Sequence, residues 1–143
     1  MIDLHCHILP GVDDGALDYS VSIEMAKLAV LEGITAVVAT PHHQNGRYVN
    51  EKRDIIQKVC QLNELLEVEK IPLKVLPGQE ARIYGNLLDD YRDDKILTIN
   101  NLNKYLLIEF PSNQIPYYAE QLLFDIQSQG LIPIIAHPER NKR

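Results

Sequence analysis

Cysteine is scarce in this sequence, and the little there is forms no motif. Cys6 and Cys60 are the two thiols among 143 residues, and no C-x-x-C spacing joins them. That is too few for a disulfide framework or a thiolate zinc site. Neither heads the phosphate loop of a cysteine phosphatase, which needs an arginine six residues on, because Val12 and Leu66 stand at those positions. Both thiols are expected to be reduced and packed. Basic clusters are missing apart from the terminal RNKR, and the formal net charge is −6, so no nucleic-acid partner is expected. Apolar runs are short and broken by charge, and the first residues hold neither a basic leader nor a long greasy segment. Neither a signal peptide nor a membrane insertion is expected, and the expected location is the cytoplasm. No internal repeat or low-complexity tract is visible.

What is present reads as one ordinary globular domain over residues 1–143, with 45% hydrophobic and 24% charged residues. A short apolar run, a turn and a stretch with helical spacing follow one another repeatedly. Strands are expected at MIDLH (1–5), ITAVVAT (34–40), LKVLP (73–77), KYLLIEF (104–110) and LIPIIAH (131–137). The first helix is expected over 18–33, with Asp18 or Ser20 as N-cap, a stripe at Val21, Met25, Leu28 and Ala29, and Gly33 past its end. The second runs over 51–70, where Ile55, Val59, Leu62 and Leu66 fall at i, i+4, i+7 and i+11. A weaker helix covers 85–94, and another covers 117–129, closed by Gly130. Short connections between consecutive βα units imply a parallel sheet with right-handed crossovers. Such sheets place their chemistry at the carboxyl ends of the strands.

Those ends are where the polar residues gather. In an extended DLHCH, Asp3, His5 and His7 share one face and Leu4 and Cys6 the other. The second strand ends in Pro41-His42-His43, the third runs into Gly78-Gln79-Glu80, the fourth ends in Glu109, and the fifth ends in His137-Pro138-Glu139-Arg140. All five histidines of the chain thus fall on one rim. Imidazoles and carboxylates without thiolate suit Mn²⁺, Zn²⁺ or Fe, and more than four candidates suggest more than one ion. Closely spaced ions suit hydrolysis of a phosphate ester. His5, His7, His42 and His137 are read as ligands. Glu80 and Glu109, which follow apolar runs, are read likewise, with a partner such as Arg82 as the plainer alternative. His43 points away from His42 and is a candidate substrate contact. Asp13 and Asp14 lie in VDDG, which serves equally as a turn or as a source of ligands. Arg140 is either a bidentate phosphate clamp or a solvated rim residue.

The segments DLHCHILPGVDDG, ATPHH, GQEARI, LLIEFPSN and IIAHPERN resemble the motifs of polymerase-and-histidinol-phosphatase (PHP) domain proteins, above all the bacterial capsule-type protein-tyrosine phosphatases. The resemblance runs from the first residue nearly to the last. It implies a manganese-dependent phosphotyrosine phosphatase on a distorted (β/α)₇ barrel with up to three Mn²⁺ ions. By that resemblance His5 and His7 bind one ion, Glu80 bridges two, Glu109 and His137 bind the second, and Asp14 and His42 bind the third. Arg140 would take the substrate phosphate. The implied substrate is the phosphotyrosine-bearing tail of a bacterial capsule or exopolysaccharide tyrosine kinase.

The family's chains are longer, and their later part supplies a further aspartate and histidine in a D-x-H element together with another arginine. Closing a β/α barrel takes on the order of 200 residues or more. The expectation is therefore an incomplete barrel of about five βα units, truncated at the C-terminus, with self-association through an exposed edge. Two rival readings stand beside it. One is a phosphatase of small esters such as histidinol phosphate, or an amidohydrolase-like enzyme. The other is a non-catalytic metal-binding or interaction module.

Overall fold

β-branched runs alternating with stretches of helical spacing dictate alternating strands and helices. The computed structural model describes residues 1–111 and 114–136. Its elements are β1 (Ile2–Cys6), α1 (Tyr19–Leu31), β2 (Ala36–Ala39), β3 (His42–His43), α2 (Lys52–Val68), β4 (Lys74–Pro77), β5 (Glu80–Arg82), α3 (Leu87–Arg92), β6 (Tyr105–Glu109), α4 (Ala119–Ser128) and β7 (Ile132–Ala136). A 3₁₀ turn at Ile99–Asn101 precedes β6.

Every strand pairing is parallel: β1 with β2, β2 with β4, β3 with β5, β5 with β6, and β6 with β7. Two sheets result, in the orders β1-β2-β4 and β3-β5-β6-β7. In the sequence, β2 and β3 are one apolar row interrupted at Thr40-Pro41, and β4 and β5 are one row interrupted at Gly78-Gln79. Proline has no N–H to continue a ladder, and a side chain at position 78 would come within 2.6 Å of Val38 Cγ1. Each row bends at these points and passes from one sheet to the other. The five expected rows therefore lie side by side in chain order, and the described strands form no closed barrel.

Helices cover one face of these rows. Val37, Ala39 and Val75 pack against Ile55, Val59, Leu62 and Leu66 of α2, the stripe expected from their spacing. Leu106 and Ile108 of β6 pack with Leu87, Leu88, Leu122 and Ile126 of α3 and α4. Helix α1 follows its expected stripe in part, with Met25 and Ala29 packed against the core. Val21 and Leu28 are 39% and 59% exposed, while Ser22 and Ala26 are buried. Small residues let α1 approach closely, and Ser22 Oγ donates to Ile8 O at 2.6 Å. Asp18 is the N-cap, its Oδ1 accepting from Val21 N–H at 3.0 Å. On the opposite face of the rows Ile2, Leu4, Leu76, Leu102, Tyr105 and Ile134 line an open cavity of about 410 Å³. Among the described residues, no helix is long and apolar enough to cross a membrane.

Candidate metal centre

β1 delivers His5, and the loop that leaves it delivers His7. Their Nε2 atoms face each other at 3.2 Å, and both face Glu80 Oε1, with His7 Nε2 at 3.6 Å. The two-residue pairing of β3 with β5 sets His42 directly beside Glu80. His42 Nδ1 lies 2.9 Å from Glu80 Oε2 and 3.4 Å from Glu109 Oε1. Glu109 arrives from the end of β6, paired with Arg82. The Glu80 side chain is fully buried. Three groups of nitrogen and oxygen donors result, His5/His7/Glu80, His7/Asp13/His42 and His42/Glu80/Glu109, each with its atoms within 4.8 Å of one another.

The loop after β1 closes the constellation. Asp13, not Asp14, belongs to the compact group. Asp14 Oδ1 stands 3.4 Å from His42 Nε2, on a side chain 61% exposed. Asp3 belongs to none of the donor groups and accepts from the backbone N–H of His5 at 3.1 Å. Arg82 Nε lies 3.4 Å from Glu109 Oε1, which makes the arginine alternative true of Glu109 in part. His137 and Arg140 lie outside the described residues.

The electrostatics follow from this crowding. Burial pulls His7 down, but its contacts with Asp13 and Glu80 outweigh that and raise it to about 9. Burial likewise opposes charge on His42, yet Glu109 and Glu80 raise it to about 10. Burial pushes Glu80 up, but His42, His5 and His7 hold it well below the carboxylate range. Burial pushes Asp13 up too, but His7 and the Gly15 and His42 amides hold it low. The cluster is a set of facing acids and imidazolium groups that a cation can replace. Its donor set of nitrogen and oxygen fits Mn²⁺, Zn²⁺ or Fe. Burial, with Asp3 and Asp13 nearby, pushes the Cys6 thiol up to about 11, and among the described residues no cysteine belongs to a donor group.

His43 points the other way, as strand alternation requires, and is buried. Its Nδ1 accepts from Asn50 N–H at 3.1 Å, and its ring meets Tyr84 edge-on at 6.2 Å. A polar network unread in the sequence supports the site from behind. Asn50 Nδ2 donates to His42 O at 2.7 Å and to Val12 O at 3.0 Å. Gln79 Nε2 donates to Asn50 O at 2.7 Å, while Gln79 Oε1 accepts from Leu97 N–H at 3.1 Å. Its one sequence signal is Gln79 itself, an uncharged polar residue between Gly78 and Glu80 at the end of an apolar row.

Gly15 carries a sharp steric demand. A Cβ there would lie 2.4 Å from both His7 Cβ and His7 O, and the backbone atom cannot rotate away. Gly15→Ala is therefore expected to destabilise the metal-free chain by about 1–3 kcal/mol, the usual range for overpacking. Gly85→Ala, with nothing within 4 Å of its added Cβ, is the control expected to unfold close to the parent. Urea denaturation of both variants checks this, and equal midpoints would refute the steric reading.

The family profile for capsular polysaccharide synthesis, CpsB/CapC, matches residues 1–143. The chain belongs to the CpsB/CapC family. Among CpsB/CapC relatives, the tyrosine-protein phosphatase YwqE of Bacillus subtilis is 56% identical over 142 residues, 99% of this chain and 56% of the relative. The putative tyrosine-protein phosphatase CapC of Staphylococcus aureus is 46% identical, over 99% of this chain and 55% of its own. A solved structure from work on YwqE of Bacillus subtilis and CpsB of Streptococcus pneumoniae, described as unique metal-dependent tyrosine phosphatases, superposes with a TM-score of 0.94. Identity there is 55%, over 99% of this chain and 57% of the other. The chain thus spans about half the length of the CpsB/CapC proteins it matches.

Proposed function

We propose that this chain carries a large part of the metal centre of a manganese-dependent protein-tyrosine phosphatase, acting on the phosphotyrosine-bearing tail of a kinase of capsule or exopolysaccharide synthesis. The observation that carries the reading is the convergence of His5, His7, His42, Glu80 and Glu109, delivered by four separate strand ends, around one fully buried carboxylate. The names and metal dependence of the CpsB/CapC relatives support it.

In this reading His5 and His7 would hold one ion, Glu80, Glu109 and His137 a second, and His42 with Asp14 a third. Bound divalent ions supply a lowered pKa for water and positive charge for the phosphoryl oxygens. The chain's own part is to fix spacing and orientation. Glu80 turns its two oxygens to different histidines, His42 turns its two nitrogens to Glu80 and to Asp14, and the role proposed for Arg140 is to clamp the phosphate. Phenolate leaves readily compared with an alkoxide, so the reaction places little demand on a general acid.

The test is hydrolysis of a phosphotyrosine peptide by the 143-residue chain with and without Mn²⁺, beside histidinol phosphate. Manganese-dependent release of phosphate from the peptide, lost in His42→Ala by at least about 100-fold, is the expected result. A strong preference for histidinol phosphate would move the proposal to small esters. Retained Mn²⁺ binding with no turnover on either substrate would make the chain a binding module.

A further inference from the structure

Asp13 sits where three hydrogen-bond donors meet. Its side chain is fully buried. Oδ2 lies 2.8 Å from His7 Nδ1 and accepts from His42 N–H at 3.1 Å, while Oδ1 accepts from Gly15 N–H at 2.9 Å. Both oxygens are therefore engaged by protein. An ionised carboxylate can only accept, so the nitrogen it faces, Nδ1 of His7, must carry a proton. The other nitrogen, Nε2, is then the one that can give up a proton and offer a lone pair to a cation, and it is the one turned toward His5 and Glu80. The same oxygen grips the His42 backbone, and the two rings stack at 4.6 Å with 23° between their planes.

We propose that Asp13 is a positioning residue of the metal centre: it fixes His7 to present Nε2 and locks that ring to the β3 backbone that carries His42, without itself ligating a cation. The proposal rests on the metal-binding part of the functional reading. It separates the two neighbouring aspartates by role. Asp13 serves as the outer partner that orients a ligand histidine, and Asp14, exposed beside His42 Nε2, keeps a carboxylate free. It also gives the Gly15 amide a function, since that amide occupies the oxygen not used by His7.

The experiment uses the 143-residue chain labelled with ¹⁵N-histidine, followed by two-bond ¹⁵N–¹H correlation, first metal-free and then with Zn²⁺ as a diamagnetic probe. In the metal-free chain the His7 Nδ1 proton is expected downfield and protected from exchange with water. With Zn²⁺, His7 Nε2 is expected to take the metal-bound shift while Nδ1 keeps its proton. Asp13→Asn preserves shape but offers one oxygen to three donors, so the Nδ1 proton should exchange faster and Zn²⁺ affinity should fall about 10- to 100-fold. A metal-free His7 Nδ1 proton exchanging as fast as that of free imidazole would overturn the proposal. So would Zn²⁺ moving Nδ1 rather than Nε2, or an Asp13→Asn chain with unchanged exchange and affinity. The metal-free spectrum of the parent chain decides the matter even if the variant does not fold. It also does so whether or not the chain turns over phosphotyrosine, so failure here is distinct from failure of the phosphatase reading.

Discussion

Glu80→Gln is expected to abolish the proposed metal-dependent phosphatase activity and to destabilise the metal-free chain together. The side chain is fully buried, with His5 and His7 on one oxygen and His42 on the other. In the metal-free chain it is the shared counter-ion of His7 and His42. An amide of the same shape removes the charge and turns an NH₂ toward one of the two sides, where it meets N–H donors. Removing one partner of a buried ion pair costs about 3–5 kcal/mol, because the remaining charge stays buried. Glu80 also belongs to two of the three donor groups, so one substitution strips a ligand from both. Metal affinity should fall by more than about 100-fold, beyond the loss of an outer-shell partner. Glu109→Gln is the comparison: its side chain is 17% exposed and it belongs to one group, so it should lose less on both counts. Calorimetric titration with Mn²⁺ and urea unfolding under chelator measure the two effects. A Glu80→Gln chain that binds Mn²⁺ as the parent does would remove the central carboxylate from the proposal.

The parts of this arrangement legible in the sequence are those written as periodic patterns. Five apolar rows, four helices and their order were readable because β-branched runs and the Ile55-Val59-Leu62-Leu66 spacing each repeat a physical period. The strand-end rule places His5, His7, His42, Glu80 and Glu109 on one rim. What escaped lacks a period. β3 and β5, at two and three residues, are too short to show alternation, yet their pairing is what sets His42 beside Glu80. The buried face of α1 was legible only in part: Met25 and Ala29 do pack against the core, but Ser22 and Ala26 are buried for their small size, whereas Val21 and Leu28 only look like core. Asp13 and Asp14 are chemically identical neighbours in VDDG. Only the tertiary approach of His7 and of the Gly15 and His42 amides distinguishes them. The side chain of Asn50, which ties His42 O to Val12 O, carries no local signal at all.

Metal uptake near pH 7 is expected to expel about two protons from the protein, and affinity for Mn²⁺ or Zn²⁺ should climb steeply with pH. His7 and His42, raised to about 9 and about 10 by Asp13, Glu109 and Glu80 against the pull of burial, both hold protons at neutral pH in the metal-free chain. An imidazole must give up its proton to ligate, so each uptake competes with protonation. With both rings involved, affinity should rise toward about 100-fold per pH unit between pH 6 and 8, the limit set by two displaced protons. Stability without metal has the opposite slope. A raised histidine stabilises fully below its unfolded value of about 6.5 and loses that contribution as pH climbs through the folded value. The lowered Glu80 and Asp13 stabilise above the ordinary carboxylate range and lose that contribution as pH falls. The chelated chain should therefore be most stable near pH 5 to 6.5 and weaken from pH 7 to 10, while saturating metal moves the optimum upward. Titration calorimetry in buffers of different ionisation enthalpy counts the protons, and thermal melts across pH with chelator or metal follow the crossing slopes. Affinity independent of pH, with no proton release, would mean that His7 and His42 do not meet the cation.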